Sequence, residues 1–128
     1  MSDQQGSIVT LVDDLFVRAK IDAAANVTGR AVRYVRSAAD FEVALAESPA
    51  AILVGMAATR LPWEDLIRRI RADPATAGAY VLAFGPHKDL DLRRRALDAG
   101  ADRVLANSAF VAALPTLLTA PATEVEAE

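Results

Sequence analysis

The chain has 128 residues, a length typical of one domain, and its net charge of −3 provides no basic excess for nucleic acid or an anionic membrane. It contains no cysteine, so disulfides, thiolate metal sites and cysteine nucleophiles are excluded. No apolar run resembles a signal peptide or is long enough to span a bilayer. A cytoplasmic location, with no membrane or nucleic-acid partner, is therefore the default expectation.

The first part of the chain alternates between short apolar runs and helical stretches. Residues 8–12 predict a strand that is buried on both faces. Leu15–Thr28 predicts a helix that Asp14 caps and Gly29 ends. Residues 31–36 predict a second strand, and its two arginines indicate the edge of a sheet.

The middle of the chain continues the same alternation. Ser37 followed by Asp40 resembles a capping box and predicts the start of a second helix. The run AAILVGM at residues 50–56 lacks polar alternation, which predicts a central parallel strand with helices over both faces. Pro62 then predicts the start of a third helix, which Asp73 and the following proline end.

The last part of the chain adds two strands and two helices. Residues 79–84 predict a fourth strand, and Asp89 or Asp91 is expected to begin a fourth helix. Residues 103–106 predict a fifth strand.

The final helix is expected to begin with Ser108 as its cap and to be kinked or split at Pro115. Residues 120–128 form an acidic tail that we expect to be disordered, so residues 1–119 make up the single domain. Because only this tail follows the last helix, we expect no DNA-binding output domain.

Strands that alternate with helices predict an α/β fold with a parallel sheet. Helices should cover both faces of this sheet, and the right-handed crossover rule leaves few topologies for it. Ligands of such sheets bind beyond the carboxyl ends of the strands. The residues there are 13–14, 55–57, 85–87 and Asn107.

The order of elements, the sequence VDD at residues 12–14 and the sequence AGAD at residues 99–102 resemble the receiver domains of two-component response regulators. The resemblance runs from about residue 8 to residue 118. It implies a three-layer flavodoxin-like sandwich with five helices and five strands in the order 2-1-3-4-5. It implies a phosphorylation site in which two adjacent acids help to hold Mg²⁺ and an aspartate ending the third strand accepts the phosphoryl group. In that family a threonine or serine ends the fourth strand, and a lysine follows the fifth.

This sequence departs from the family pattern at three of those positions. Asp13 and Asp14 match the acid pair, but Gly55 stands at the acceptor position. Gly85 replaces the threonine or serine, and Asn107 replaces the lysine. Glycine has no oxygen to accept a phosphoryl group, and a neutral amide cannot stabilise its charge as lysine does. The resemblance therefore implies a degenerate receiver, or pseudo-receiver.

The only candidate metal ligands are Asp13 and Asp14, as a weak Mg²⁺ site, because two carboxylates alone do not supply octahedral oxygen coordination. No other cofactor is implied. The competing interpretation is that Asp14 caps a helix and Asp13 is solvated. Likewise, Gly55 and Gly85 either leave a small cavity or let loops close over the pocket.

We predict a stand-alone, non-enzymatic signalling or regulatory module that binds another protein independently of phosphorylation. By analogy with receivers, the expected interaction face lies on the fourth helix, fifth strand and fifth helix, where one hypothesis is a homodimer. The candidate residues of this face are Arg93, Arg94, Arg103 and Phe110. Its arginine run could equally be a solvated helix face.

The alternative function is a sensor that binds a small ligand or divalent cation in the altered pocket. An enzyme on the same fold is the least favoured hypothesis, because no nucleophile, base and charge stabiliser occur together. His87 is the only histidine and has no identifiable catalytic partner in the sequence.

Overall fold

The computed structural model describes residues 6–57, 60–86 and 89–120. In chain order the elements are β1 (Ile8–Leu11), α1 (Leu15–Thr28), β2 (Val32–Tyr34), α2 (Ala38–Ala46), β3 (Ala51–Gly55), α3 (Trp63–Ala72), β4 (Val81–Gly85), α4 (Leu90–Ala99), β5 (Arg103–Ala106) and α5 (Asn107–Thr119). Their types and order are those predicted, and the bounds of α1 and β5 agree with the prediction to the residue.

The five strands form one parallel sheet in the order β2-β1-β3-β4-β5, which confirms the predicted topology. β3 lies at the centre, and all of its residues are buried, as its unbroken apolar sequence indicated. β2 is an edge strand with half-buried residues, and its Arg33 pairs with Asp40 and Glu47. The predicted edge position of β2 is therefore confirmed.

Helices cover both faces of the sheet and create two apolar cores. One core packs the sheet against α2, α3 and α4 and includes Ile52 and Ile67. The other core packs the sheet against α1 and α5 and includes Leu53 and Phe84. Because successive strand residues point to opposite faces, Gly55 shares the α1–α5 side with Leu53.

Side-chain caps begin three of the helices, as the sequence indicated. The carboxylate of Asp14 accepts hydrogen bonds from the backbone N–H groups of Phe16 and Val17, at 2.8 and 3.2 Å. Ser37 caps α2, and Asp89, one of the two aspartates expected at that position, caps α4. These bonds satisfy backbone donors that have no partner within a first helical turn.

α5 differs from the prediction at two points. It begins at Asn107 without a side-chain cap, so the assignment of Ser108 as the cap was wrong: Ser108 already lies inside the first turn. The helix also continues through Pro115, so of the two alternatives predicted there the split did not occur. The residues before and after the proline, Leu114 and Leu117, are buried against the sheet, and this packing offsets the hydrogen bond that proline removes.

Arg71 near the end of α3 connects the loops that precede β4 and β5. Its guanidinium donates to the carbonyls of Ala77 and Ala79, each at 2.7 Å, and to the carbonyl of Gly100 at 2.8 Å. It also pairs with Asp102 at 2.8 Å. Gly100, which ends α4, has φ +124°, and a Cβ there would lie 2.6 Å from Cγ of Arg71.

Several predictions concern residues outside the described ranges. These include the tail beyond residue 120, so the domain bounds stay a prediction, and any role of His87. Among the helices that the structure describes, none has both the length and the apolar character needed to cross a membrane.

Candidate functional site

The five residues of the predicted receiver pocket lie around one cavity of about 60 Å³. Asp13 and Asp14 come from the β1–α1 loop, and Gly55 and Gly85 end β3 and β4. Asn107 is the first residue of α5. They meet because the carboxyl ends of parallel strands share one edge of the sheet. The structure therefore brings together the whole set that the sequence indicated.

The position of Gly55 is crowded by an aromatic ring. Gly55 and Phe84 are in register on adjacent strands, and both belong to the α1–α5 side of the sheet. A Cβ at Gly55 would lie 3.2 Å from Cζ of Phe84 and 3.0 Å from the carbonyl oxygen of Leu11. Phe84 in turn stacks on Phe110, with ring centroids 3.8 Å apart. Position 55 therefore has no side-chain oxygen and little room for one.

Gly85 is crowded in a similar way. A Cβ at Gly85 would lie 2.9 Å from Cε and 3.3 Å from Cβ of Met56. Neither Gly55 nor Gly85 has a positive φ, so these glycines are not there to allow an unusual backbone. The side chains of Phe84 and Met56 therefore take up space beside these two glycines, and a small cavity remains.

Asp13 and Asp14 both accept hydrogen bonds from N–H groups of this chain. Asp14 caps α1, which is the competing interpretation that the sequence left open. Asp13 accepts a hydrogen bond from Nε of Arg60 at 2.9 Å and another from the Arg60 backbone N–H at 3.3 Å. Arg60 lies in the loop between β3 and α3. The sequence carries no signal for this contact, because it joins residues 47 positions apart.

The residues present do not fit Mg²⁺, the metal that the receiver resemblance implies. Mg²⁺ requires near-octahedral oxygen coordination, usually with carboxylates and water. Among the residues that the structure describes, no group of three or more acidic, histidine or cysteine side chains could hold a metal. The guanidinium of Arg60 also lies against Asp13, where it would repel a cation.

The predicted interaction face requires one correction. Phe110 is fully buried and stacks on Phe84, so its assignment to a binding surface was wrong: its ring faces the sheet rather than solvent. Arg93 donates to a backbone carbonyl of β5 at 3.2 Å, and Arg103 is half-buried within that strand. Arg94 is exposed and pairs with a neighbouring aspartate on α4.

α4 exposes an apolar stripe that the sequence did not indicate. Leu90 is 71% exposed and Leu97 is 44% exposed. They are seven residues apart and therefore lie on one face of the helix, with Arg94 between them. Ala96 and Ala99 occupy the buried side of α4.

Comparison with known proteins agrees with this geometry. No family model and no curated protein matches the sequence. Among solved structures, the phosphorylated cyanobacterial phytochrome response regulator RcpA is 16% identical, with a TM-score of 0.74 over 91% of this chain and 96% of that chain. The chain has the receiver fold.

Two further receiver structures give similar values. The chemotaxis response regulator CheY4 of Vibrio cholerae is 12% identical, with a TM-score of 0.71 over 94% of this chain and 98% of that chain. The receiver domain of the sensor histidine kinase PA1611 from Pseudomonas aeruginosa is 21% identical, with a TM-score of 0.70 over 86% of this chain and 94% of that chain. That receiver holds a magnesium ion in its active-site cleft. The predicted flavodoxin-like fold is thus confirmed.

Proposed function

We propose that this chain is a pseudo-receiver: a signalling or regulatory module that binds another protein without being phosphorylated. The observation that supports this most strongly is the pairing of Gly55 with Phe84. The acceptor position of the receiver fold lacks a nucleophilic oxygen, and the ring of Phe84 lies within 3.3 Å of where a side chain would begin. Asn107 at the lysine position is neutral, which supports the same conclusion.

Incubation with acetyl phosphate and Mg²⁺ is expected to leave the intact mass of the protein unchanged. A receiver domain with a complete set of acceptor aspartate, acid pair and lysine serves as the positive control under the same conditions. The expected result follows from the absence of a carboxylate at position 55. A mass gain of one phosphoryl group that maps to Asp13 or Asp14 would contradict the proposal.

We propose that partner binding uses the exposed stripe of Leu90, Arg94 and Leu97 on α4. Exposed leucines two turns apart present an apolar surface that a second protein can cover, and the arginine between them adds a site for a carboxylate. The predicted homodimer would use this surface. Arg93 donates to a carbonyl of β5 and Arg103 is half-buried within that strand, so both would contribute less than the sequence indicated.

The double substitution Leu90→Glu and Leu97→Glu is expected to convert a wild-type dimer to a monomer, because it places like charges across the interface. Size-exclusion chromatography with light scattering measures the mass. Val43→Glu is the matched control, since Val43 is 54% exposed on α2 and away from this stripe. A wild-type protein that stays monomeric at high concentration would contradict the homodimer, and binding of another protein would then have to be tested on the same variants.

A sensor of a small ligand or divalent cation is the second candidate. The cavity of about 60 Å³ is below the range of about 300–1,000 Å³ that organic ligands occupy, which leaves water or a single ion. Titration with Mg²⁺ or Ca²⁺ is expected to leave the thermal unfolding midpoint unchanged. An increase that Asp13→Asn abolishes would support the sensor instead.

We further propose that the chain is not an enzyme and that it acts in the cytoplasm.

A further inference from the structure

A second and larger depression lies at the carboxyl ends of β1 and β2, beside the cavity of the receiver pocket. We call it the edge cleft. It has a volume of about 370 Å³ and is lined by Val12, Arg18, Tyr34, Val35, Arg36 and Arg60. Its volume falls within the range of about 300–1,000 Å³ that is typical of small-molecule sites.

The lining of the edge cleft includes three arginines and no acid. This is unusual for a chain whose net charge is −3. Within the described residues, neither Arg18 nor Arg36 forms an ion pair with a carboxylate, whereas the neighbouring Arg33 pairs with two. Arg60 uses Nε for Asp13, and its terminal nitrogens donate no hydrogen bond to the described part of the chain.

Side-chain contacts hold two of the three arginines, Arg18 and Arg60, in place. The guanidinium of Arg18 lies 3.9 Å from the centroid of the Tyr34 ring. The hydroxyl of Tyr34 donates to Asp22 at 2.5 Å, and burial, with that hydrogen bond, raises the pKa of Tyr34 so that the hydroxyl keeps its proton. A binding site whose side chains are already positioned loses less conformational entropy when a ligand arrives.

Nearby acids hold the backbone at Arg36 and the side chain of Arg60. The backbone N–H of Arg36 donates to Asp40 at 3.1 Å, and the side chain of Arg60 is held by Asp13. Asp40 itself is paired with Arg33, and Asp13 with Arg60. Asp40 also attracts Arg36 electrostatically, but among the described residues no carboxylate lies within ion-pair distance of Arg18 or Arg36, so their guanidinium groups remain available to a ligand.

We propose that the edge cleft binds a small phosphate compound through Arg18, Arg36 and Arg60. A guanidinium group matches the geometry of phosphate oxygens and donates two parallel hydrogen bonds to them. Three positive groups around one cleft favour a ligand with more than one negative charge, such as a diphosphate. This binding would be separate from the receiver pocket and does not depend on the proposed protein-binding function.

Isothermal titration calorimetry at low ionic strength, with pyrophosphate and ADP as probes, tests the proposal. The wild type is expected to bind at least one of them, and Arg36→Ala and Arg18→Ala should each weaken binding by about tenfold or more. Arg36→Lys should retain part of the affinity, because it keeps the charge but loses the bidentate geometry. Binding of both probes would indicate that the site recognises the phosphate groups alone. Binding of ADP but not of pyrophosphate would indicate that the site also recognises the nucleoside.

The matched control is Arg94→Ala, an exposed arginine on α4 that does not line the edge cleft. It should leave the affinity unchanged. Circular dichroism of each variant checks that the fold is intact, as expected for exposed side chains. Absence of binding of both probes at millimolar concentration would overturn the proposal. So would an affinity that Arg36→Ala and Arg18→Ala leave intact, or that Arg94→Ala reduces equally.

Discussion

Replacing Gly55 with aspartate is expected to lower the free energy of unfolding by about 3 kcal/mol and to leave the protein unlabelled by acetyl phosphate. The new Cβ would meet the Leu11 carbonyl oxygen at 3.0 Å and the ring of Phe84 at 3.2 Å. The carboxylate would also enter a small cavity beside Asp13 and Asp14, with no lysine to balance its charge. Urea unfolding measures the stability, and intact mass measures the labelling.

Two further substitutions separate the causes of this loss. Gly55→Ala tests the steric part alone and should cost about 1–3 kcal/mol. In a Phe84→Leu background the cost of Gly55→Ala should be smaller, because the ring that crowds Cβ is gone. Gly78→Asp is the control, since a Cβ at Gly78 meets no atom within 4 Å, and its effect should stay within about 0.5 kcal/mol. A neutral Gly55→Ala would show that Phe84 does not fill the acceptor position.

Substituting Arg71 with methionine is expected to lower the free energy of unfolding by about 2–3 kcal/mol. Methionine keeps the packing of the aliphatic stem but removes every hydrogen bond of the guanidinium. Three backbone carbonyls and Asp102 would lose a charged donor in a partly buried position. The loops before β4 and β5 would then lose their shared anchor.

Arg68→Met on the same helix is the matched control for Arg71. The side chain of Arg68 is 53% exposed, and its ion pairs, at 3.6 and 3.9 Å, are long. Its replacement should change the stability by no more than about 0.5 kcal/mol. Both variants are compared by urea denaturation, which gives the midpoint and the dependence of the unfolding free energy on urea concentration. Equal losses for the two would contradict the role assigned to Arg71.

Much of the fold was predictable because local sequence features determine most of it. Asp14, Ser37 and Asp89 are short polar side chains whose capping bonds span two or three residues, so their role can be read from neighbouring positions. The buried parallel strand β3 was equally clear from its unbroken apolar run. The split that was one of the two alternatives at Pro115 did not occur, because helix packing against the sheet outweighed a local preference.

The sequence predicted which residues surround the candidate site, but not which side chains fill the space between them. Asp13, Gly55 and Asn107 could be placed together because each follows or ends a strand, and parallel strands end at one edge. That Phe84 occupies the space at Gly55 depends on the register between β3 and β4. Residue type alone does not reveal such a contact, because the sequence predicts only that Phe84 is a core residue.

By itself, the sequence determined the α/β class and the residue types at the strand ends, because periodicity and residue identity are local properties. The strand order and the acceptor position at Gly55 were expectations that came from the resemblance to receivers. Only the tertiary structure decided that Arg60 pairs with Asp13, that Phe110 is buried and that three arginines surround the edge cleft. These features join residues far apart in the chain, and their distances depend on how the helices and loops pack on the sheet.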